Sequence, residues 1–270
     1  MNPTFIYGTA WKKDATTQLV QTAVKAGFNA IDTANQPKHY SEWLVGEALD
    51  ALAREGISRE SLFLQTKFTP LDGHDDRVPY DPNADLKSQV RQSFERSLQH
   101  LKTDHVDSYL LHGPYSYPGL GDSDWEVWSA IEDLYRSGST GMIGVSNVNY
   151  LQLSALLARA TIKPMVVQNR CYASRGWDRE VREICIENGI MYQGFSLLTA
   201  NVPVLHNPAI KSIAGRLGVE SMQVILRFAM QIGMVPLTGT TNEEHMRQDL
   251  GIYSIMLSDE EVALIESIAG

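Results

Sequence analysis

Short apolar runs rich in β-branched and aromatic residues alternate along this chain with longer amphipathic stretches. The runs predict eight strands, at residues 4–8, 28–32, 62–67, 106–112, 141–146, 165–169, 190–195 and 234–237. Between them, Leu19, Ala23, Val24 and Ala26 line one helix face, and Leu44, Val45, Ala48, Leu49 and Leu52 line a second. Val90, Phe94, Leu98 and Leu101 form a third stripe; Trp125, Trp128, Ile131, Leu134 and Tyr135 form a fourth. Gly27, Gly56, Gly138, Gly189 and Gly233 stand where such stretches end, as helix C-termini prefer. Strand–helix repetition with continuously apolar strands implies a parallel sheet buried on both faces. Eight units favour a closed (β/α)8 TIM barrel over an open doubly wound sheet, with an active site at the C-terminal strand ends. The open sheet would want a Gly-x-Gly-x-x-Gly turn after the first strand, and Gly8-Thr9-Ala10-Trp11-Lys12 stands there instead.

Composition narrows the class. A chain of 270 residues, 43% apolar and without linker, repeat or low-complexity tract, fits one barrel domain over residues 1–270. A formal net charge of -9 argues against nucleic acid and anionic membrane as partners, since both need a basic face. It leaves room for a nucleotide cofactor and a small-molecule substrate. Cys171 and Cys185 make neither a disulfide framework nor a zinc pattern, so no metal is expected and a reducing cytoplasm suits the chain. Residues 1–4 show no charged-then-apolar leader, and no apolar run approaches the roughly 18 residues of a membrane span.

Four residues carry the candidate chemistry. Asp32, Lys67 and His112 each close a strand run, and Tyr40 follows the first of them, ahead of a helical segment. Singly, each has a plain reading: the aspartate a helix N-cap, the lysine a solvated charge, the histidine a structural one, the tyrosine a packing residue. Together, delivered to the same end of successive strands, they read as an active site. The loop-like stretches 69–83 and 113–123, rich in Gly, Pro and Asp, leave from that same end.

Several segments resemble the aldo-keto reductase superfamily. They are Ile31-Asp32-Thr33-Ala34, then Tyr40-Ser41-Glu42 with Val45-Gly46-Glu47-Ala48-Leu49, and Leu64-Gln65-Thr66-Lys67. Val106-Asp107-Ser108-Tyr109-Leu110-Leu111-His112-Gly113-Pro114, Ile143-Gly144-Val145-Ser146-Asn147, Lys163-Pro164 with Gln168, and Gly194-Phe195-Ser196-Leu197-Leu198 continue the series in order. The resemblance implies a (β/α)8 barrel that reduces an aldehyde or ketone with NAD(P)H. It implies Tyr40 as general acid, Lys67 lowering the tyrosine pKa, Asp32 pairing with Lys67, and His112 orienting the carbonyl. A free tyrosine titrates near 10, and bringing it to about 7 takes roughly 4 kcal/mol, which a nearby ammonium in a dry pocket could supply. By the same resemblance Ser146, Asn147 and Gln168 grip the nicotinamide carboxamide and Phe195 lies against its ring. Ser196, Leu197 and Leu198 then run along the pyrophosphate, and Thr238, Gly239 and Thr240 open a phosphate loop before a helix.

The chain also departs from the family pattern. Tyr40 comes eight residues after Asp32, where the family usually has five; residues 35–39 lengthen this loop and put Pro37 at the usual position. The last loop lacks the family's lysine. Arg247 either reaches an adenosine 2'-phosphate or pairs with Glu243 or Glu244, so NADP(H) is favoured by family habit and NAD(H) is open. The stop at Gly270 removes the tail that closes the pocket in many relatives, which implies an open site. Trp11, Tyr115, Tyr117 and Trp177 are candidate pocket walls for an apolar or aromatic carbonyl compound. The family's usual state is a monomer. Beside the enzyme stands an alternative: a cofactor-binding, non-catalytic member resembling the superfamily's channel-associated β-subunits.

Overall fold

A computed structural model describes residues 2–269; Met1 and Gly270, the two chain ends considered above, lie outside the described residues. The eight strands are β1 (Ile6–Gly8), β2 (Ala30–Asp32), β3 (Phe63–Phe68), β4 (Val106–Leu111), β5 (Thr140–Ser146), β6 (Val166–Arg170), β7 (Met191–Phe195) and β8 (Met234–Thr238). They pair in chain order, all parallel, and β8 closes onto β1 through Ile6 opposite Leu237. This is the (β/α)8 barrel that the strand–helix alternation predicts.

The helices are α1 (Thr16–Ala26), α2 (Glu42–Arg54), α3 (Leu86–Leu101), α4 (Asp122–Arg136), α5 (Tyr150–Arg159), α6 (Arg179–Glu187), α7 (Val202–Leu205), α8 (Pro208–Leu217), α9 (Ser221–Gln231), α10 (Glu243–Leu250) and α11 (Asp259–Glu266). The four predicted stripes are the buried faces of α1 to α4: Val90, Phe94 and Leu101 of α3, for example, pack among Leu64, Tyr109 and Val45 in the main core. The predicted stop glycines take the left-handed conformations that only glycine adopts freely, with φ 121° at Gly27 and 77° at Gly138. Gly46 has a different reason: a Cβ there would lie 1.9 Å from the His100 carbonyl, so only glycine lets α2 and α3 approach this closely.

The barrel interior is layered. Ile6, Ala30 and Phe63 seal its N-terminal end, with Met142, Val235 and Leu237 packed on them. Two residues further along β2 and β3, on the same inward face, come Asp32 and Gln65. That step changes the interior from apolar to polar, at the end where the loops leave. Among the described residues, no helix is long and apolar enough to cross a membrane, and no cluster of His, Cys, Asp or Glu is arranged to hold a metal.

Candidate active site

The polar layer is built around Asp32, the last residue of β2. Its Oδ1 accepts from Lys67 Nζ at 2.6 Å, from Gln65 Nε2 at 2.7 Å and from Gln168 Nε2 at 3.0 Å; its Oδ2 accepts from Lys67 Nζ at 2.7 Å. The third Lys67 proton goes to the Thr33 carbonyl at 2.8 Å. Lys67 is 0% exposed and its ammonium is fully satisfied. Gln193 locks the layer from below, accepting from Gln65 and Gln168 and donating to Gln65 Oε1. A charge is tolerated this deep only because it is paired and hydrogen-bonded on every side. Burial still presses the Lys67 pKa below its ordinary value, against the pull of Asp32.

Tyr40 and His112 stand next to this pair. Lys67 Nζ lies 5.5 Å from the Tyr40 ring centroid, and the Tyr40 and His112 rings meet edge to face at 6.0 Å. The long loop is pinned as it delivers the phenol: Tyr40 N–H donates to the Gln36 carbonyl, Asn35 Nδ2 to the Ser93 carbonyl, and Trp11 N–H to the His39 carbonyl. His112 pairs through Nδ1 with Thr69 Oγ1 at 2.7 Å, and its carbonyl accepts from Asn147 Nδ2 at 2.8 Å. Burial, with the Lys67 charge second, holds His112 well below the ordinary imidazole range, so it is neutral at physiological pH.

The tyrosine pKa moves the opposite way from the sequence expectation. Burial, reinforced by the Asp32 charge, pushes the phenol above its ordinary value. The reason lies in the ion pair. Asp32 cancels most of the Lys67 field at the ring, so the dryness of the pocket dominates. Tyr40 is therefore fully protonated at neutral pH, stocked as an acid rather than poised as a base.

Above these groups opens a cavity of about 1260 Å³, lined by Asp32, Tyr40, His112 and the loops after nearly every strand. That exceeds the 300–1,000 Å³ typical of a pocket for one drug-sized ligand, so a dinucleotide and a substrate can share it. Ser146, Asn147, Gln168, Phe195, Ser196, Leu197, Leu198, Thr238, Gly239 and Thr240 all line it. The donor set suits a nicotinamide dinucleotide. Gln168 spends both amide protons on Asp32 and Gln193, which leaves its carbonyl oxygen to accept from a carboxamide. Four non-glycine residues with positive φ also line the cavity, Trp11, Asn147, Asp178 and Ser196, and backbone strain of this kind collects at ligand sites.

Of the pocket candidates, Trp11, Tyr115 and Tyr117 line the cavity, Trp11 and Tyr117 as exposed rings at its rim. Trp177 does not. It is fully buried, meets the Phe228 ring at an inclined 59° with centroids 5.1 Å apart and donates through Nε1 to the Ile265 carbonyl, so it anchors α11 to the barrel. Arg247 also lies outside the cavity lining: its guanidinium is bound to Glu243 and reaches toward Glu244, the second of the two fates open to it in the sequence. A cation that sequence reasoning passed over takes a place there. Lys12 lines the cavity beside the last loop, and its ammonium donates to the Gly239 carbonyl. Arg170, stacked over the Phe195 ring at 5.4 Å, and Arg175 line the same cavity.

Known proteins resemble this chain over nearly its whole length. The model of the Aldo/keto reductase family matches residues 4–269. Glyoxal reductase of Bacillus subtilis (strain 168) is 31% identical over 253 residues, covering 93% of this chain and 83% of the relative. The NAD(P)H-dependent 6'-deoxychalcone synthase of Glycine max is 31% identical over 277 residues, covering 96% and 82%. Among solved structures, an aldo-keto reductase from a Medee basin deep-sea metagenome library superposes with a TM-score of 0.84 at 25% identity, over 99% of this chain and 91% of that one.

Proposed function

The chain belongs to the aldo/keto reductase family and is an NAD(P)H-dependent oxidoreductase; from that premise we propose that it reduces an aldehyde or ketone to the alcohol with Tyr40 as proton donor. The bound nicotinamide supplies the hydride. The side chains do the rest. Tyr40 gives its phenolic proton to the carbonyl oxygen as negative charge builds there, a contribution typically of about 10²–10⁴-fold. An alkoxide is a far stronger base than a phenolate, so a phenol held protonated by burial still transfers downhill. Lys67, kept charged by Asp32 and 5.5 Å from the ring centroid, gives the phenolate only the residual field that Asp32 leaves uncancelled. Neutral His112 orients the carbonyl oxygen beside Tyr40 without competing for its proton.

The observation that carries this reading is the fully satisfied Lys67–Asp32 pair beside the Tyr40 ring at the floor of the large cavity. Ser146, Asn147 and Gln168 would hold the carboxamide, Phe195 the nicotinamide face, Ser196, Leu197 and Leu198 the pyrophosphate. Thr238, Gly239 and Thr240 would meet a phosphate together with Lys12. With Arg247 engaged by Glu243, we assign the family's preference for NADP(H) over NAD(H) to Lys12. Family habit and cysteine usage fit a cytoplasmic monomer. The test is NADPH oxidation followed at 340 nm with an aromatic aldehyde. Tyr40→Phe should lose about 10²–10⁴-fold in kcat while nucleotide affinity stays within a few-fold. Undiminished turnover in that variant, or tight nucleotide binding without turnover across a broad carbonyl panel, would refute it.

A further inference from the structure

The lengthened loop that carries Tyr40 also carries His39, and the geometry around His39 fixes its chemistry. The Gly73 carbonyl can only accept, and it takes a hydrogen bond from Gln36 at 2.7 Å, so the nitrogen of that amide faces Gly73. The Gln36 oxygen therefore faces His39, whose Nδ1 lies 2.9 Å away. An amide oxygen cannot donate, so His39 Nδ1 carries the proton. A neutral imidazole protonated at Nδ1 has a lone pair at Nε2. Burial and the charge of Lys38 keep this imidazole below its ordinary pKa, against a smaller opposing pull from Asp75, so the neutral form holds at pH 7. Among the described residues Nε2 has no hydrogen-bond partner, and His39 lines the same cavity as Tyr40, His112 and Trp11. Its ring is also held in place: Trp11 stacks on it at 4.2 Å between centroids, and the Trp11 N–H donates to the His39 carbonyl at 2.7 Å.

We propose that His39 is a substrate-recognising hydrogen-bond acceptor, locked in that role by the Gly73–Gln36 relay, and that it selects carbonyl compounds bearing a hydroxyl on the carbon next to the carbonyl. The proposal rests on the reductase reading and deepens it. His39 lines the cavity together with Tyr40 and His112 and lies close enough to His112 for their charges to interact, so a hydroxyl beside the reacting carbonyl can reach the acceptor while the carbonyl oxygen faces the phenol. An apolar substrate of the same shape leaves the Nε2 lone pair without a partner and forfeits the bond. Because the ring is half-buried rather than sealed, the discrimination is that of one ordinary hydrogen bond, roughly tenfold, and not the 10⁴-fold or more of a closed polar site.

The experiment compares hydroxyacetone with butanone, two ketones of nearly equal shape that differ by a hydroxyl for a methyl. The purified enzyme with NADPH should favour hydroxyacetone about tenfold in kcat/KM. In His39→Phe, which keeps a ring for Trp11 to stack on but offers no acceptor, that ratio should fall to about one. His39→Gln, whose amide oxygen can accept, should recover a ratio of at least roughly threefold. NADPH affinity, read from quenching of tryptophan fluorescence, checks that both variants are folded. Equal use of the two ketones by the unaltered enzyme, a ratio unmoved in His39→Phe, or a glutamine variant no better than phenylalanine would overturn the proposal. Failure to turn over any carbonyl compound would instead overturn the reductase reading beneath it.

Discussion

Replacing Asp32 by asparagine tests whether the site is built around a buried charge. Lys67 is 0% exposed, and two of its three ammonium hydrogen bonds go to Asp32. Asparagine removes the countercharge and turns an NH2 group toward an ammonium, so donor meets donor. The cheapest escape is for Lys67 to give up its proton. Deprotonating a lysine of pKa about 10.4 at pH 7 costs about 1.36 × 3.4, or about 4.6 kcal/mol, which sits within the roughly 3–5 kcal/mol range for breaking a buried pair. The sign follows from linkage. The native variant then binds one proton fewer than its unfolded chain, so its stability rises with pH, by about 1.4 kcal/mol per unit up to about 10.4. Urea unfolding at pH 7 and pH 9 of four proteins reads this out: unaltered, Asp32→Asn, Lys67→Met and the double variant. Asp32→Asn should lose about 4–5 kcal/mol at pH 7 and about 2 kcal/mol at pH 9. The double variant, with no charge left to bury, should be clearly more stable than the two single losses sum to, by about 3 kcal/mol. A loss under about 1 kcal/mol, or one that does not change with pH, would refute the idea that Asp32 holds a charged Lys67.

Two other groups give narrower expectations. Lys12→Met should weaken NADPH binding about tenfold and NADH binding less than about threefold, the scale of one hydrogen bond to a charged group; equal losses for both nucleotides in fluorescence titrations would move Lys12 from the 2'-phosphate to a phosphate common to both. Asp249, 1% exposed and hydrogen-bonded to Thr238 Oγ1 at 2.8 Å, has its carboxyl pushed up to about 6 by burial. Because the folded pKa lies above the unfolded one, the native state holds the proton longer, and this group costs stability as pH rises from about 4 through 6. Asp249→Asn should therefore be more stable than the unaltered protein at pH 8, by about 2–3 kcal/mol, and no more stable at pH 4; thermal unfolding at the two pH values decides it.

The strands were legible because a parallel barrel buries both of their faces, and such burial writes itself as unbroken apolar runs. Asp32, Lys67 and His112 were legible for the same reason, as polar residues closing those runs. What escaped were properties of residues whose neighbours lie far away in sequence. Trp177 reads as a pocket wall in its loop, and only the return of α11 against that loop, with Ile265 accepting from its indole, turns it into core. Lys12 gains its place in the cavity only because β8 closes next to β1 and brings Gly239 to its ammonium. The direction of the Tyr40 pKa is not written in the sequence, which shows which charges are present but not how deeply the ring is buried or that Asp32 opposes Lys67 there.

The lengthened loop shows how a departure from spacing can be absorbed. A phenol displaced by about 1 Å can cost about 100-fold in rate, so extra residues before Tyr40 ought to matter. They are taken up sideways, in a turn closed by the His39 and Tyr40 N–H groups on the same Gln36 carbonyl, at 3.0 and 2.9 Å. Asn35 ties the loop's start to Ser93 of α3, and Gln36 ties its middle to Gly73. Each anchor uses a buried or half-buried polar group of the added residues themselves, so the extra length brings its own fastening. The same fastening that keeps Tyr40 beside Lys67 and His112 also orients His39, so the loop's added length and its added hydrogen-bond acceptor are one feature of the site.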